Sequence, residues 1–127
     1  MKVATLNINN INNPVDNLLA WLAKAKPDVV SLQELKAEQE AFPVNALRTL
    51  GYEAVWQGER SWNGVAILAR HHVPVLTCTS LPGTPEDHQA PYIEAAAHSI
   101  NKGNCEAVPL VGQFWTVTTL ERLPVAL

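Results

Sequence analysis

The sequence of 127 residues lacks an excess of basic residues and lacks long apolar runs. Its 9 lysines and arginines against 12 aspartates and glutamates give a net charge of −3. This balance provides no general basic field for holding nucleic acid, so binding would depend on a local patch or a metal ion. No stretch approaches about 18 consecutive apolar residues. We therefore expect neither a membrane span nor a signal peptide.

Cysteine is also scarce, with only Cys78 and Cys105, which form no Cys-x-x-Cys pair. Small secreted domains usually carry several cysteines in a disulfide framework, whereas isolated thiols are typical of reduced proteins. We therefore predict a cytoplasmic protein with two incidental thiols. Hydrophobic residues make up 47% of the chain and charged residues 17%, a balance typical of one globular domain.

The first third of the sequence contains a strand, a helix and a second strand in succession. Residues 2–8 (KVATLNI) predict a buried strand that runs into a cluster of asparagines. Asn13 and Pro14 then open a helix with an apolar stripe at helical spacing, and Pro27 ends it. Residues 29–34 (VVSLQE) predict the second strand. Such a unit usually places its two strands parallel in one sheet.

Polar side chains follow both strands at the point where each strand ends. Asn7 ends the first strand and Glu34 ends the second. Because the carboxyl ends of parallel strands share one edge of a sheet, we expect these two residues to be neighbours in space. The asparagine cluster is either a plain turn or a carrier of chemistry. Its later members are expected mainly to turn the chain and cap the helix: Asn9, Asn10, Asn12 and Asn13.

Shorter elements are predicted beyond Glu34. A helix is expected at about Pro43 to Leu50, with Gly51 as the residue that ends it. Two strands, Glu53 to Gln57 and Gly64 to Ala69, are expected to form a hairpin. Further strands are predicted at residues 73–79 and 92–97, and a candidate strand at residues 114–120 has no predicted place in the fold.

Several blocks of the sequence together resemble the bacterial exonuclease III family, within the endonuclease/exonuclease/phosphatase superfamily. They cover residues 1 to about 95 in the order of that family: MKVATLNINNIN, LLAWLAKAKPDVVSLQELK, FPVNALRTLGYEAVWQG, SWNGVAILAR and LPGTPEDHQAPYIEA. The most specific blocks are LQELK, preceded by KPDVV, and SWNGVAILAR. An isolated Asn-x-Asn pattern would carry no such information.

The resemblance implies an α/β fold that forms the N-terminal half of a four-layer α/β sandwich, with a mixed sheet and flanking helices. It also implies a DNA repair phosphodiesterase dependent on Mg²⁺ or Mn²⁺ that acts on double-stranded DNA at 3′ ends and abasic sites. By motif, Glu34 matches the metal-binding glutamate of the family, and Asn7 matches the asparagine at the end of its first strand. Mg²⁺ prefers oxygen ligands and often uses only one or two carboxylates, which suits this pair.

Five further residues are candidates for contact with DNA because they follow the same edge or the same motifs: Asn9, Asn12, Lys36, Trp62 and Asn63. Contacts to the DNA backbone need hydrogen-bond donors more than base-specific groups. Each candidate also has a plainer explanation. A tryptophan such as Trp62 more often packs than stacks on a base, a lysine such as Lys36 is more often simply exposed, and Asn12 is expected mainly to form the turn.

The resemblance ends before the motifs that complete the family's active site. We find no tyrosine followed by a Pro-Asn-Gly loop, no GDxN segment and no Ser-Asp-His string in the 127 residues. We therefore predict a half-domain at residues 1–95 and a divergent tail at 96–127, in a truncated or frameshifted and poorly active copy. The alternatives are a non-catalytic remnant or binding module, and another phosphoesterase of the superfamily. An uncovered apolar sheet face and self-association are also expected.

Overall fold

A computed structural model of the chain describes residues 2–13, 15–58, 63–78, 92–99, 104–111 and 121–123. Its elements in chain order are β1 (Val3–Asn7), α1 (Val15–Ala25), β2 (Val29–Gln33), a short 3₁₀ turn (Gln39–Ala41), α2 (Val44–Thr49), β3 (Tyr52–Gly58), β4 (Gly64–Arg70), β5 (Val75–Cys78), β6 (Tyr92–Ser99), β7 (Asn104–Val111) and β8 (Glu121–Leu123). The predicted strand at residues 114–120 lies outside the described residues.

The first sheet is mixed and has the strand order β1-β2-β4-β3. β1 and β2 are parallel, with Asn7 opposite Gln33, as the strand–helix–strand pattern predicted. β4 is antiparallel to both of its neighbours, and the predicted β3–β4 hairpin is confirmed. The α/β class and the mixed sheet with flanking helices are therefore confirmed.

Both helices contribute to the core on one face of this sheet. Leu18 and Leu22 of α1 are buried, as is Leu47 of α2. They join a cluster with alternate residues of the strands and the loops beyond them, including Ile8, Leu32, Leu35, Ala66 and Leu68. α1 ends at Ala25 because Lys26 adopts the left-handed region at φ 47° and Pro27 follows it.

The opposite face of the first sheet packs against a second sheet. That sheet is antiparallel, in the order β5-β6-β7-β8. Ile93 and Ala95 of β6 form a buried cluster with Val65 and Ile67 of β4, together with Val29 and Ala69. The expectation of an uncovered apolar face is therefore wrong for β4, because the chain supplies strands to both layers.

The tail contains strands that no sequence pattern predicted. β7 pairs with β6 along its whole length, from Tyr92 opposite Val111 to Ser99 opposite Asn104. The predicted division at residue 95 falls inside β6, and the assignment of separate units on either side of it stays a prediction.

Within the described ranges the longest helix is α1, with 11 residues, and none is long and apolar enough to cross a bilayer.

Candidate metal site at the sheet edge

The asparagine run after β1 forms a tight turn. Asn9 and Asn10 lie in the left-handed region, at φ 46° and φ 84°, which asparagine tolerates better than most residues. Side-chain oxygens stabilise the turn, since Asn7 Oδ1 accepts the Asn9 N–H at 3.2 Å and Asn10 Oδ1 accepts the Asn12 N–H at 3.1 Å. Ile11 is fully buried below it. The predicted turn role of these residues is confirmed.

The chain also turns sharply after β2, over three residues that we name the Glu34–Lys36 arch. Glu34 and Lys36 both have positive φ, at 54° and 48°. Leu35 between them is fully buried in the helix-side core. A buried leucine with a left-handed residue on each side leaves the flanking side chains at the surface of the sheet edge. The side chains of Glu34 and Lys36 are 27% and 20% exposed.

Backbone hydrogen bonds from both neighbouring segments hold the arch. There are four such hydrogen bonds: Asn10 N to Glu34 O at 2.9 Å, Ile11 N to Leu35 O at 2.9 Å, Leu35 N to Gly64 O at 3.1 Å, and Lys36 N to Asn63 O at 2.9 Å. The arch therefore continues β2 beyond its last regular residue, between the asparagine turn and the start of β4. Its position is fixed on one side by the asparagine turn and on the other by Asn63 and Gly64.

Polar side chains connect the ends of β1 and β2 at this edge. The Lys36 ammonium donates a hydrogen bond to Asn9 Oδ1, and it lies 3.5 Å from Glu34 Oε2. The Asn9 N–H in turn donates to Asn7 Oδ1. Asn7 and Glu34 are thus linked through Asn9 and Lys36. The predicted proximity of the two strand ends is present in the structure.

The oxygen atoms at this edge fit a hard divalent cation. Glu34 supplies one carboxylate, and Asn7 supplies an amide oxygen without adding charge. Mg²⁺ commonly binds through one or two carboxylates and keeps several waters, so a single glutamate is sufficient. Across the part of the chain that the structure describes, no cluster of three or more histidine, cysteine or acidic residues could hold a metal. The carboxylate and the amide oxygen are hard ligands of the kind that Mg²⁺ and Mn²⁺ prefer.

A buried polar group below this edge was not predicted. Gln33 is 8% exposed, and its Nε2 donates to Thr5 Oγ1 at 2.9 Å and to Ser31 Oγ at 2.7 Å. These hydrogen bonds tie the last residue of β2 to β1, immediately before the arch begins. The sequence signal was the alternation of Ser31 and Gln33 with apolar residues, which places both on one face of the strand.

The five predicted DNA-contact residues have different locations. Asn9 and Lys36 lie at the edge beside Glu34, and Asn63 contacts the arch through its carbonyl oxygen. Asn12 is exposed farther along the asparagine turn. Trp62 lies outside the described residues. The structure therefore brings three of the five to one edge, and their contact with DNA stays a prediction.

An apolar groove that the sequence did not reveal adjoins Asn7. Its volume is about 240 Å³, and its lining residues come from β1, the following loop and α1: Leu6, Asn7, Ile8, Asn17, Leu18 and Trp21. Leu6 is 39% exposed and Trp21 is 37% exposed, and because both line the groove they form one exposed apolar patch. The groove forms because β1 is the outermost strand of the described sheet.

Comparisons with known proteins agree with this fold. The sequence profile of the Endonuclease/Exonuclease/phosphatase family matches residues 4–112. The chain therefore belongs to this family of α/β phosphoesterases and nucleases.

Its relatives include nucleases. The chain is 36% identical over 95 residues to the exodeoxyribonuclease III of Haemophilus influenzae. The matched region covers 75% of this chain and 35% of that protein. Among solved structures, the 3′-5′ exonuclease (NExo) of Neisseria meningitidis matches with a TM-score of 0.71 and 36% identity, covering 83% of this chain and 39% of the other. An AP endonuclease from Archaeoglobus fulgidus matches with a TM-score of 0.67 and 33% identity, covering 75% and 36%. The chain thus spans about a third of the length of the curated relative.

Proposed function

We propose that this chain carries the metal-binding edge of an exonuclease III-like DNA phosphodiesterase that depends on Mg²⁺ or Mn²⁺. The observation that carries the proposal is the linkage of Asn7 to Glu34 through Asn9 and Lys36 at one sheet edge. The nuclease relatives support the reaction class. We place the activity in DNA repair, and a cytoplasmic location stays a prediction from the cysteine spacing.

In this proposal, Glu34 and Asn7 hold the cation through oxygen atoms. A bound Mg²⁺ supplies charge that stabilises the scissile phosphate and its leaving oxygen. Lys36 keeps a positive charge within 3.5 Å of the Glu34 carboxylate and positions it by charge attraction. Asn9 links Lys36 to the end of β1 and offers a neutral amide to the DNA backbone. Asn12, Trp62 and Asn63 are proposed to extend this contact along the duplex.

The proposed substrate is double-stranded DNA with an abasic site or a 3′ end. A phosphodiesterase also needs a group that activates water, and the sequence contains no counterpart of the family motifs expected to supply it. We therefore propose that the chain alone is poorly active. The alternatives are a non-catalytic remnant or binding module, and a different phosphoesterase activity within the same family.

Cleavage of a duplex that contains one abasic site tests the proposal. The wild-type chain, Glu34→Gln and Glu40→Gln are compared with and without Mg²⁺. Glu40 is the matched control, because it is an exposed glutamate on the 3₁₀ turn. We expect weak, Mg²⁺-dependent cleavage by wild type and Glu40→Gln and none by Glu34→Gln. Equal cleavage by all three proteins would contradict the role of Glu34.

Two further assays on the same three proteins, DNA binding and hydrolysis of generic phosphoesters, separate the alternatives. DNA binding by all three proteins without any cleavage would favour a binding module. Hydrolysis of a generic phosphomonoester or phosphodiester, with no cleavage of the abasic duplex, would favour another phosphoesterase. Absence of both cleavage and binding would favour a remnant.

A further inference from the structure

We infer that Gly64, at the start of β4, is a positioning residue that sets the location of the Glu34 carboxylate. The inference rests on the proposed role of Glu34 as a metal ligand. It assigns a function to the Asn63-Gly64 pair of SWNGVAILAR beyond its place in the β3–β4 hairpin.

Gly64 allows an unusually close approach of Leu35. A Cβ atom on Gly64 would lie 2.9 Å from Leu35 Cβ and 3.4 Å from Leu35 Cγ, and it would lie 3.3 Å from the Gln57 carbonyl oxygen. Gly64 also has φ 110°, a conformation that residues with a side chain rarely adopt. Any larger residue at this position would therefore push on Leu35 and strain its own backbone.

Leu35 cannot move away easily, because it is fully buried in the helix-side core. Its N–H donates to the Gly64 carbonyl at 3.1 Å, so the backbone of Leu35 is also attached to the residue that would push it. A displacement of Leu35 would therefore pass along the chain to its neighbours Glu34 and Lys36.

The arch is sensitive to such a displacement. Glu34 and Lys36 both occupy the left-handed region, which non-glycine residues adopt only when surrounding contacts hold them there. In two of the four backbone hydrogen bonds that hold the arch, the acceptors are the carbonyl oxygens of Asn63 and Gly64. The close approach of Gly64 to Leu35 therefore sets the position of the Glu34 carboxylate relative to Asn7.

The test compares Gly64→Ala with Gly51→Ala. Gly51 is a matched control because it also has a positive φ, at 84°, and a close neighbour, His71 Cε1, at 3.0 Å from the added Cβ. It lies at the other end of the hairpin, where Tyr52 pairs with Arg70, whereas Gly64 pairs with Gly58. Thermal unfolding and Mn²⁺ affinity, measured by electron paramagnetic resonance, are recorded for both variants.

Both substitutions should lower the unfolding temperature, but only Gly64→Ala should weaken Mn²⁺ binding, by about tenfold or more. This is the usual effect of disturbing the groups that orient a metal ligand. In the metal-free protein, Gly64→Ala should also speed hydrogen exchange of the Leu35 and Lys36 amides. If wild type binds Mn²⁺ through Glu34, an affinity of Gly64→Ala equal to that of wild type would overturn the inference.

A second pair of variants covers the case in which Gly64→Ala does not fold. Leu35→Val and Leu47→Val each remove one methylene from a fully buried leucine of the same core cluster. Both should lower the unfolding temperature by a similar amount, because each loses the same buried apolar group. Only Leu35→Val should weaken Mn²⁺ binding, and equal affinities in this pair would contradict the inference.

Glu34→Gln distinguishes failure of this inference from failure of the proposed function. If wild type and Glu34→Gln bind Mn²⁺ equally or not at all, the proposed metal role of Glu34 fails. Amide hydrogen exchange then tests, without any metal, whether Gly64 positions the arch. Faster exchange at Leu35 and Lys36 in Gly64→Ala, but not in Gly51→Ala, supports its positioning role, and unchanged exchange overturns it.

Discussion

Asp28 shows how one side chain can join three parts of the chain at the end of the sheet opposite the candidate site. Its Oδ2 accepts the Lys2 N–H at 2.7 Å, and its Oδ1 accepts from Arg70 Nη2 at 3.1 Å. Burial by itself raises the pKa of Asp28, but the Lys2 hydrogen bond and the Arg70 guanidinium outweigh it and leave that pKa below its ordinary value. The charged form of Asp28 is therefore favoured in the folded protein.

Stability should consequently depend on the ionisation of Asp28. Because its pKa is lower when folded, its contribution is present above the unfolded value near pH 3.8 and is lost as pH falls through the folded value. We expect Asp28→Asn to reduce the free energy of unfolding at pH 7 and to differ much less from wild type at pH 3. Urea unfolding at the two pH values measures this. A difference that grows in acid would show that Asp28 stabilises the fold in another way.

Tyr52 provides a second test at the residue scale. Its ring is buried, and its hydroxyl donates a hydrogen bond to the Pro27 carbonyl at 2.7 Å, joining β3 to the end of α1. Burial raises the pKa of this hydroxyl, which keeps it protonated as a donor. Tyr52→Phe should cost about 1–2 kcal/mol, because the Pro27 carbonyl loses its partner inside the protein. Chemical denaturation measures the loss, and a stability equal to wild type would mean that water replaces the hydroxyl.

At the scale of elements, the first half of the fold could be predicted because its patterns are local. The helical spacing in α1 and the apolar strands on each side of it determine a parallel pair. That topology alone placed Asn7 and Glu34 at one edge. The left-handed conformations of Glu34 and Lys36 could not be predicted, because they depend on hydrogen bonds to distant Gly64 and Asn63. β7 escaped prediction because Glu106 and Pro109 interrupt its apolar pattern.

The two edges of the first sheet differ in whether other residues cover their backbone groups. At the β3 edge, the 3₁₀ turn lies against the strand. Gln39 Oε1 accepts the Gly58 N–H at 2.7 Å, and Gln39 Nε2 donates to the Trp56 carbonyl at 3.2 Å. The Trp56 ring also stacks on Phe42 at a centroid distance of 4.4 Å. These contacts occupy backbone groups that an edge strand would otherwise offer to another chain.

Removing this cover should open the β3 edge. We expect Gln39→Ala to reduce the free energy of unfolding by about 0.5–1.5 kcal/mol, because the Gly58 N–H and the Trp56 carbonyl exchange this side chain for water. Hydrogen exchange at Gly58 should become faster. Glu40→Ala, in the same 3₁₀ turn but exposed, is the control and should change neither measurement. Slow exchange at Gly58 in Gln39→Ala would indicate that another group covers the edge.

At the scale of the whole molecule, the β1 edge differs because no described strand pairs with its outer side. The Ile8 N–H donates to Gln33, so the even residues of β1 direct their backbone groups towards β2. In a parallel ladder the alternate residues, Val3, Thr5 and Asn7, then direct theirs outwards. The apolar groove that includes Leu6 and Trp21 lies along this edge. Open backbone groups beside an apolar groove are the features that promote strand pairing between chains.

We therefore predict that the chain self-associates through the β1 edge. Sedimentation velocity over a range of concentrations should show reversible association of wild type. Leu6→Lys should reduce it by placing a charge in the groove, because charged residues oppose edge-to-edge pairing. Val75→Lys is the matched control, since Val75 is 63% exposed on β5, an edge strand of the other sheet. If Val75→Lys alone abolishes association, the interface lies on the second sheet. A wild-type chain that stays monomeric at every concentration would contradict the prediction altogether.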